Sequence, residues 1–418
     1  MNVLFVSSSD ISGGAARAAY RLHRGLLVSQ VESTMLVLVK ETDDETVVQL
    51  PKRRTRLIRW LNHSFETLPL RLYPNRHRNL VWSLNWIPFP VTKYLNQTND
   101  ILHFHWIAGG FIPLHTLGQV RKPVVWTLHD EWAFTGGCHY AYDCTGFSRQ
   151  CGRCPQLNSH RDMDVSRLVW KQKHRHWKNT DMTVVCPSRW LADRARQSSL
   201  FVGRRIEVIP NGINVDQYKH VDRSLARHLL RLPQGKRLIL FGALASTRDE
   251  RKGFHLLQPA IQRLALQWKD NAELVVLGAS QPQSPPEFGL PTHYLGRLAD
   301  DVSLTLLYSA ADVFVAPSLS ENLPNMIMEA MACGTPSVAF RVGGIPDLIE
   351  HQRNGYLAKP YEVEDLAAGI AWVLEDNERY TDLSLHARTK VEQEFELGLV
   401  ARRYRDLYEE ILEQHVEP

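Results

Sequence analysis

Long hydrophobic runs are missing from this sequence: none approaches the ~18–20 apolar residues of a membrane-spanning helix. Excess charge is scarce as well. Lys plus Arg number 49 and Asp plus Glu 45, leaving a formal +4, too little to announce a nucleic-acid partner. The opening MNVLFVSSSD has no basic segment and no long apolar stretch, so it does not read as a signal peptide. Six cysteines without a secretory signal point to a reducing compartment, where thiols stay free or hold metal. The expectation is therefore a cytoplasmic protein. No repeat of solenoid period and no low-complexity tract occurs. With 44% hydrophobic and 22% charged residues, disordered, collagen-like and coiled-coil chains are excluded.

What is present is length and alternation. The 418 residues exceed the ~250–300 over which one core keeps growing, so two or three domains are expected. Strand-like runs fall at Val3–Val6, Met35–Val39, Ile101–Phe104, Val124–Leu128, Thr183–Cys186, Ile206–Ile209, Leu238–Phe241, Leu274–Leu277, Val313–Ala316, Ser337–Phe340 and Gly355–Ala358. Helical spacing lies between them, clearest over 15–29, 363–375 and 397–414. Short apolar strands separated by helices predict an α/β protein with parallel sheets covered on both faces.

The pattern restarts near residue 206, after a first set of strands ending near 188. This predicts two doubly wound, Rossmann-like domains facing across a cleft: 1–188, then 189–396. The helix 397–418 is expected to return to the first domain. Pro210-Asn211-Gly212 is a turn suited to the crossing between them. Residues 52–94 fit neither pattern. They interleave Lys52, Arg53, Arg54, Arg56, Arg59, Arg71, Arg76 and Arg78 with Trp60, Phe65, Tyr73, Trp82, Trp86 and Phe89. Such a mixture suits an anionic membrane surface; it equally suits a solvated insertion whose aromatics join the core.

The strongest local signal runs from Ser318 to Pro336. A strand leads into a Ser-rich loop, Pro324 is placed as an early helical residue, and Gly334 supplies a C-cap. A helix of roughly ten residues thus aims its N-terminus at the carboxyl end of the sheet, where its amides and dipole favour a diphosphate. Glu321 precedes this helix and Glu329 lies within it. Both are negative, so they suit sugar hydroxyls rather than phosphate. In the first domain Gly13 and Gly14 form the turn after the first strand, where backbone can approach a ligand. His129 ends another strand. His103 and His105 share one face of a third.

The stretch Ala311–Leu348 resembles the donor-nucleotide signature of retaining glycosyltransferase family 4, whose members have the GT-B fold. Glu321 and Glu329 match its E-x7-E pair. Ser12-Gly13-Gly14, Thr127-Leu128-His129-Asp130, Pro210-Asn211-Gly212, Lys252-Gly253 and Gly343-Gly344 extend the similarity in order along most of the chain. The resemblance implies that Glu321 approaches the donor sugar and Glu329 binds the nucleotide ribose. It implies that Asn322, Leu323, Asn325 and Met326 face the diphosphate, that Lys252 neutralises it, and that His129 lies near the donor sugar, with Asp130 orienting that ring or serving the acceptor. The family's Gly-Arg after the domain's first strand is Gly242-Ala243 here, so the second cation falls to Arg248 or Arg251.

The implied activity is transfer of a hexose, with retention of configuration, from a nucleotide-diphosphate sugar to a glycan or lipid-linked oligosaccharide in surface polysaccharide synthesis. A lipid-linked acceptor would place the protein peripherally on the inner membrane face. No catalytic divalent cation is expected, because no Asp-x-Asp motif stands beside a donor-site strand. A sugar-nucleotide epimerase or hydrolase, or a non-catalytic zinc-bearing binding module, are the alternatives. The zinc expectation comes from Cys138, Cys144, Cys151 and Cys154, spaced C-x5-C-x6-C-x2-C. Four thiolates suit a closed structural site, with His139 a possible substitute ligand and disulfides or unpaired thiols the other options. Cys186 and Cys333 stand alone and read as packing residues.

Overall fold

The computed structural model describes residues 1–51, 66, 68–77, 81–88, 91–96, 98–242, 249–298 and 300–416. Its apolar runs form strands because helices cover both faces of each sheet, which leaves little room for polar alternation. The first sheet comprises β1 (Asn2–Ser9), β2 (Glu32–Val39), β3 (Val47–Gln49), β4 (Ile101–Phe104), β5 (Val124–Thr127), β6 (Met182–Cys186) and β7 (Arg205–Val208). Its order is β3-β2-β1-β4-β5-β6-β7, with each neighbouring pair parallel. The second comprises β8 (Arg237–Gly242), β9 (Ala272–Leu277), β10 (Thr292–Tyr294), β11 (Val313–Ala316), β12 (Ser337–Phe340) and β13 (Gly355–Ala358). It is also parallel, in the order β10-β9-β8-β11-β12-β13. The strand order reverses beside β1 in one sheet and beside β8 in the other. Ligands of doubly wound folds bind at the carboxyl edge of such a reversal.

Helices used below are α1 (Gly14–Val28), α2 (Val165–Trp177), α3 (Arg189–Gln197), α4 (Arg223–Leu229), α5 (Phe254–Trp268), α6 (Asp301–Ala310), α7 (Asn325–Ala332) and, last in the chain, α8 (Leu397–Val416). Two compact units result: 1–211 with 398–418, and 212–397. The boundary thus falls inside Pro210-Asn211-Gly212 rather than at 188/189. The physical reason is β7, which pairs with β6 through Thr183↔Arg205 to Cys186↔Val208 and so closes the first sheet instead of opening the second. Apolar periodicity marks a strand but does not say which sheet it joins. The last helix lays Val400, Ala401, Tyr404 and Tyr408 on a cluster with Val3, Phe5, Ile101 and Val125, and the Tyr404 and Thr127 hydroxyls are 2.9 Å apart.

The α7 helix differs from the sequence expectation in its bounds and caps. Pro324 is its N-cap, with extended ψ of 115°, and the helix has eight residues. The C-cap is Cys333, and Gly334 follows with φ of 76°, the left-handed geometry that ends a helix.

Of the basic, aromatic stretch, Lys52, Arg53, Arg54, Arg56, Arg59, Arg78, Trp60, Phe65 and Phe89 lie outside the described residues. Tyr73, Trp82 and Trp86 pack against the first unit's core. Trp82 donates to Gln156 Oε1 at 3.2 Å, and the Tyr73 hydroxyl accepts the Val165 amide at 3.0 Å, at the start of α2. Arg71 is exposed, whereas Arg76 donates to the Leu70 and Tyr73 carbonyls. Among the described residues, no helix is long and apolar enough to cross a membrane.

Candidate active site

In the second unit the switch point lies between β8 and β11, and the chain leaving β11 carries Glu321. Its Oε1 accepts from Lys252 Nζ at 2.5 Å, Arg251 Nη1 at 3.2 Å and Ser318 Oγ at 3.0 Å. Burial alone would raise this carboxyl, but Lys252 and Arg251 prevail and hold it at about 2. Glu321 is therefore ionised at neutral pH. Backbone contacts fix the cluster: the Leu319 amide donates to the Arg251 carbonyl at 2.7 Å, and the Gly344 amide to the Glu321 carbonyl at 3.0 Å.

Two glycines make that approach possible. A Cβ on Gly253, whose φ is 71°, would meet the Pro317 carbonyl oxygen at 1.8 Å. One on Gly343, with φ of 55°, would meet the Glu321 carbonyl oxygen at 1.9 Å. Both positions also need the left-handed backbone that glycine adopts at little cost.

Asn322 and Leu323 are buried in the turn that follows Glu321, and Asn325 and Met326 open α7, where intrahelical bonding has not yet begun. Glu329 lies further along α7 and is only 3% exposed; its Oε2 accepts from the Tyr308 hydroxyl of α6 at 2.8 Å. The structure thus brings Arg251, Lys252, Glu321 and the start of α7 together, while Glu329 is buried against α6. Arg248 lies outside the described residues. Arg251, left as one of two options by the sequence, contacts Glu321 directly.

In the first unit Gly13 has φ of 96° and caps α1, which begins at Gly14. The turn is held by Asp10, a residue the sequence reading did not single out. Its carboxylate accepts from the amides of Ile11, Glu41 and Thr42 and from the Thr42 hydroxyl. Burial opposes ionisation of Asp10, yet these donors keep its pKa below the ordinary value. The signal available in sequence was a small polar residue directly after a strand and before Gly-Gly.

His129 follows β5, and its Nε2 lies 3.0 Å from His105 Nδ1. Burial pushes His129 down to about 4, with Asp130 opposing weakly, so the imidazole is neutral. The expectation that Asp130 orients this ring is corrected. Asp130 Oδ2 instead accepts from Trp106 Nε1 at 2.8 Å and pairs with His139 Nδ1 at 2.7 Å. His139 is accordingly committed to Asp130 and, through Nε2, to Ser83 at 2.9 Å, not to a metal. His103 is a packed histidine whose ring nitrogens pair with Thr127 and Tyr408.

The four clustered cysteines are free thiols, Cys138 and Cys154 buried and Cys144 and Cys151 partly so. Burial raises Cys151 and Cys154 to about 12 and also raises Cys138 well above the usual thiol value, although amide groups of Gly136 and of Gln156 and Leu157 face the sulfurs of Cys151 and Cys154. Among the described residues no group of three or more His, Cys, Asp or Glu side chains is arranged to hold a metal. The thiols as they stand do not form the tetrahedral set that zinc requires. Lys173 of α2 is buried beside them, donating to the Trp132 and Thr135 carbonyls, with Nζ 4.0 Å from the Trp132 ring centre.

A cation pair and a helix start at the carboxyl edge of a parallel sheet define the class of an anion-binding, nucleotide-type α/β protein. Two family models match: "Glycosyltransferase Family 4" over residues 12–217 and "Glycosyl transferases group 1" over 235–376. The chain belongs to the group 1, family 4 glycosyltransferases.

A putative colanic acid biosynthesis glycosyl transferase, WcaC of Escherichia coli, is 26% identical over 81% of this chain and 83% of its own length. D-inositol 3-phosphate glycosyltransferase 2 of Catenulispora acidiphila is 29% identical over 50% of this chain. The chain spans only 52% of that relative's length. Among solved structures, a sucrose-phosphate synthase from Thermosynechococcus elongatus aligns with TM-score 0.69 and 19% identity, covering 99% of this chain and 100% of that one. Anabaena HepE in complex with UDP-glucose aligns at 0.62 and 18%, covering 99% and 100%. These likenesses establish the GT-B fold.

Proposed function

We propose that the protein transfers a hexose from a nucleoside diphosphate sugar to a glycan or lipid-linked oligosaccharide, with retention of anomeric configuration, in surface polysaccharide synthesis. The observation that carries this reading is the cluster of Lys252 and Arg251 on Glu321 beside the start of α7. Two cations and helix amides suit the charge that develops on a departing diphosphate, and stabilising such charge usually lowers the barrier more than any other single effect. Glu321, ionised and, among the described residues, engaged through Oε1, accepts from sugar hydroxyls. Glu329 accepts from the ribose after exchange of its Tyr308 contact, Gly13 and Gly14 allow close backbone approach in the first unit, and His129 contributes a neutral imidazole to sugar recognition. HepE's complex with UDP-glucose supports the donor class, and the naming of WcaC as a putative colanic acid biosynthesis glycosyl transferase supports the polysaccharide setting.

The test incubates purified protein with UDP-, GDP- and ADP-sugars, with and without glycan and lipid-linked acceptors. Acceptor-dependent release of the nucleoside diphosphate and an α-linked product from an α-linked donor are expected. Release at the same rate without acceptor would assign a hydrolase instead. On the same samples, elemental analysis checks the sequence expectation that Cys138, Cys144, Cys151 and Cys154 hold zinc: about one zinc per chain supports it, and none removes it. Co-sedimentation with anionic vesicles that is absent for neutral ones supports the membrane-facing acceptor.

A further inference from the structure

The structure assigns the cavity bordered by Trp86, His115 and His176 to one carboxylate-bearing sugar unit of a glycan, a hexuronate. This site is separate from the Glu321 cluster and gives the glycan acceptor a second point of attachment. The inference rests on the reading of the acceptor as a glycan and adds where, and through which kind of sugar, that glycan is held.

The cavity has a volume of about 280 Å³, just under the ~300–1,000 Å³ of pockets for drug-sized ligands. It has room for one sugar ring and not for a nucleotide sugar. Its walls come from three segments: Trp86 from the chain before β4, Leu114 and His115 from the helical turn Leu114–Gln119, and Leu168, Gln172 and His176 from α2. His115 precedes β5 whereas His129 follows it, so the cavity lies on the helix-covered flank of the first sheet and not at its carboxyl edge. The walls are tied together. The Leu114 amide donates to the Asn85 carbonyl at 3.0 Å, and Trp177 Nε1 to the Leu114 carbonyl at 2.9 Å. Asn85, also in the wall, is spent on structure: Nδ2 donates to the Ile107 and Ile112 carbonyls, and Oδ1 accepts the Gly110 amide. The cavity is therefore preformed, as small-ligand sites usually are.

The remaining polar groups are less committed. Among the described residues the His115 ring makes no hydrogen bond; its contact is the His176 ring, 6.3 Å away and edge-on at 69°. His176 Nε2 lies 3.2 Å from Gln172 Oε1, which leaves His176 Nδ1 and the Gln172 amide nitrogen for a ligand. Both imidazoles are half-buried and Gln172 is exposed. Charge then selects the ligand. Among the described residues no carboxylate lines the cavity, and burial, His115 and Arg175 together hold His176 below its ordinary value. At neutral pH the site thus offers uncharged imidazole and amide donors near one guanidinium. That set suits a single negative charge surrounded by hydroxyls better than a dianionic phosphate. Trp86 and Leu168 supply the apolar surface against which the CH face of a pyranose packs.

NMR of the full chain labelled at histidine tests this, with sodium glucuronate as the probe and glucose and acetate as controls. The His115 and His176 signals are assigned by their loss in His115→Leu and His176→Leu. Glucuronate should shift both signals saturably, in about the millimolar range, and the controls should need at least about tenfold more. His176→Leu and Gln172→Ala should each weaken glucuronate about tenfold, the scale of one hydrogen bond to a charged group. Gln172 is exposed, so its variant gives this reading even if the histidine variants do not fold. Donor affinity measured by calorimetry should stay unchanged in Gln172→Ala. Signals unmoved by glucuronate would overturn the inference, as would an equal response to acetate, which means ion binding only, or to glucose, which means no selection by charge. Unchanged glucuronate affinity in Gln172→Ala, or a parallel loss of donor affinity, would overturn it as well. Glucuronate binding in a protein without transferase activity would count against the proposed function alone, since these spectra are read without donor.

Discussion

Two carboxylates stand at opposite ends of β11, and their surroundings differ in kind. Asp312, just before the strand, is 1% exposed. Its Oδ1 accepts from Arg223 at 3.0 Å and Arg237 at 3.2 Å, and its Oδ2 from Arg227 and the Leu238 amide, each at 2.6 Å. Both oxygens are engaged, and the partners come from α4 and β8. Glu321, just after the strand, meets two cations and a hydroxyl, all on Oε1. The amino end of the strand is thus a closed knot that ties elements together. At the carboxyl end, charge is gathered with one carboxylate oxygen left out of the cluster. The same residue chemistry serves structure where it is saturated and a ligand where it is not.

That contrast can be broken by substitution. Asp312→Ala leaves the buried Arg227 guanidinium without its counter-charge, which is expected to cost about 3–5 kcal/mol of stability. Urea unfolding measures it, and a loss below about 1 kcal/mol would remove the structural reading of that end. Glu321→Gln should act chiefly on activity, its stability cost at neutral pH being at most the ~3 kcal/mol implied by a carboxyl held at about 2 rather than at its ordinary value. Initial-rate assays should show its turnover reduced about 100-fold or more, a barrier increase of about 3 kcal/mol.

Gly343→Ala sharpens the comparison by disturbing only the backbone beside Glu321. A Cβ 1.9 Å from its carbonyl oxygen at positive φ should cost about 1–3 kcal/mol, read in thermal unfolding, and weaken donor binding. The smallest effect concerns pH. Glu321 is depressed to about 2 in the folded chain against about 4.3 in an unfolded one. Its stabilising contribution is therefore complete above about pH 4.3 and is lost as pH falls toward 2. The slope of stability between pH 5 and 3 should flatten in Glu321→Gln, and an unchanged slope would contradict the ion cluster.

Much of the second unit was legible from local chemistry. The strand at Val313–Ala316 and the Gly334 stop are short-range features, each fixed by residues within a few positions; Lys252-Gly253 was visible only through the family resemblance. What was not legible depends on distance through space. The β7 strand had the right composition but its sheet is decided by pairing with β6. Asp130 sits next to His129 in sequence, yet its bonds run to Trp106 and His139, because a loop after a strand folds back on its own neighbours. His105 was visible as one of two histidines sharing a strand face; its contact with His129 arises only when β4 and β5 lie side by side. Adjacent strands bring together residues 24 positions apart that no spacing rule connects.

The central claim is that Lys252 and Arg251, beside the start of α7, receive a sugar donor's diphosphate while Glu321 meets its sugar. Calorimetric titration of wild type and Lys252→Met with UDP-, GDP- and ADP-sugars tests it most directly. One donor class should bind the wild type, and its affinity should fall about tenfold or more in the variant, about 1.4 kcal/mol per decade. Equal affinity in the two proteins would contradict the account.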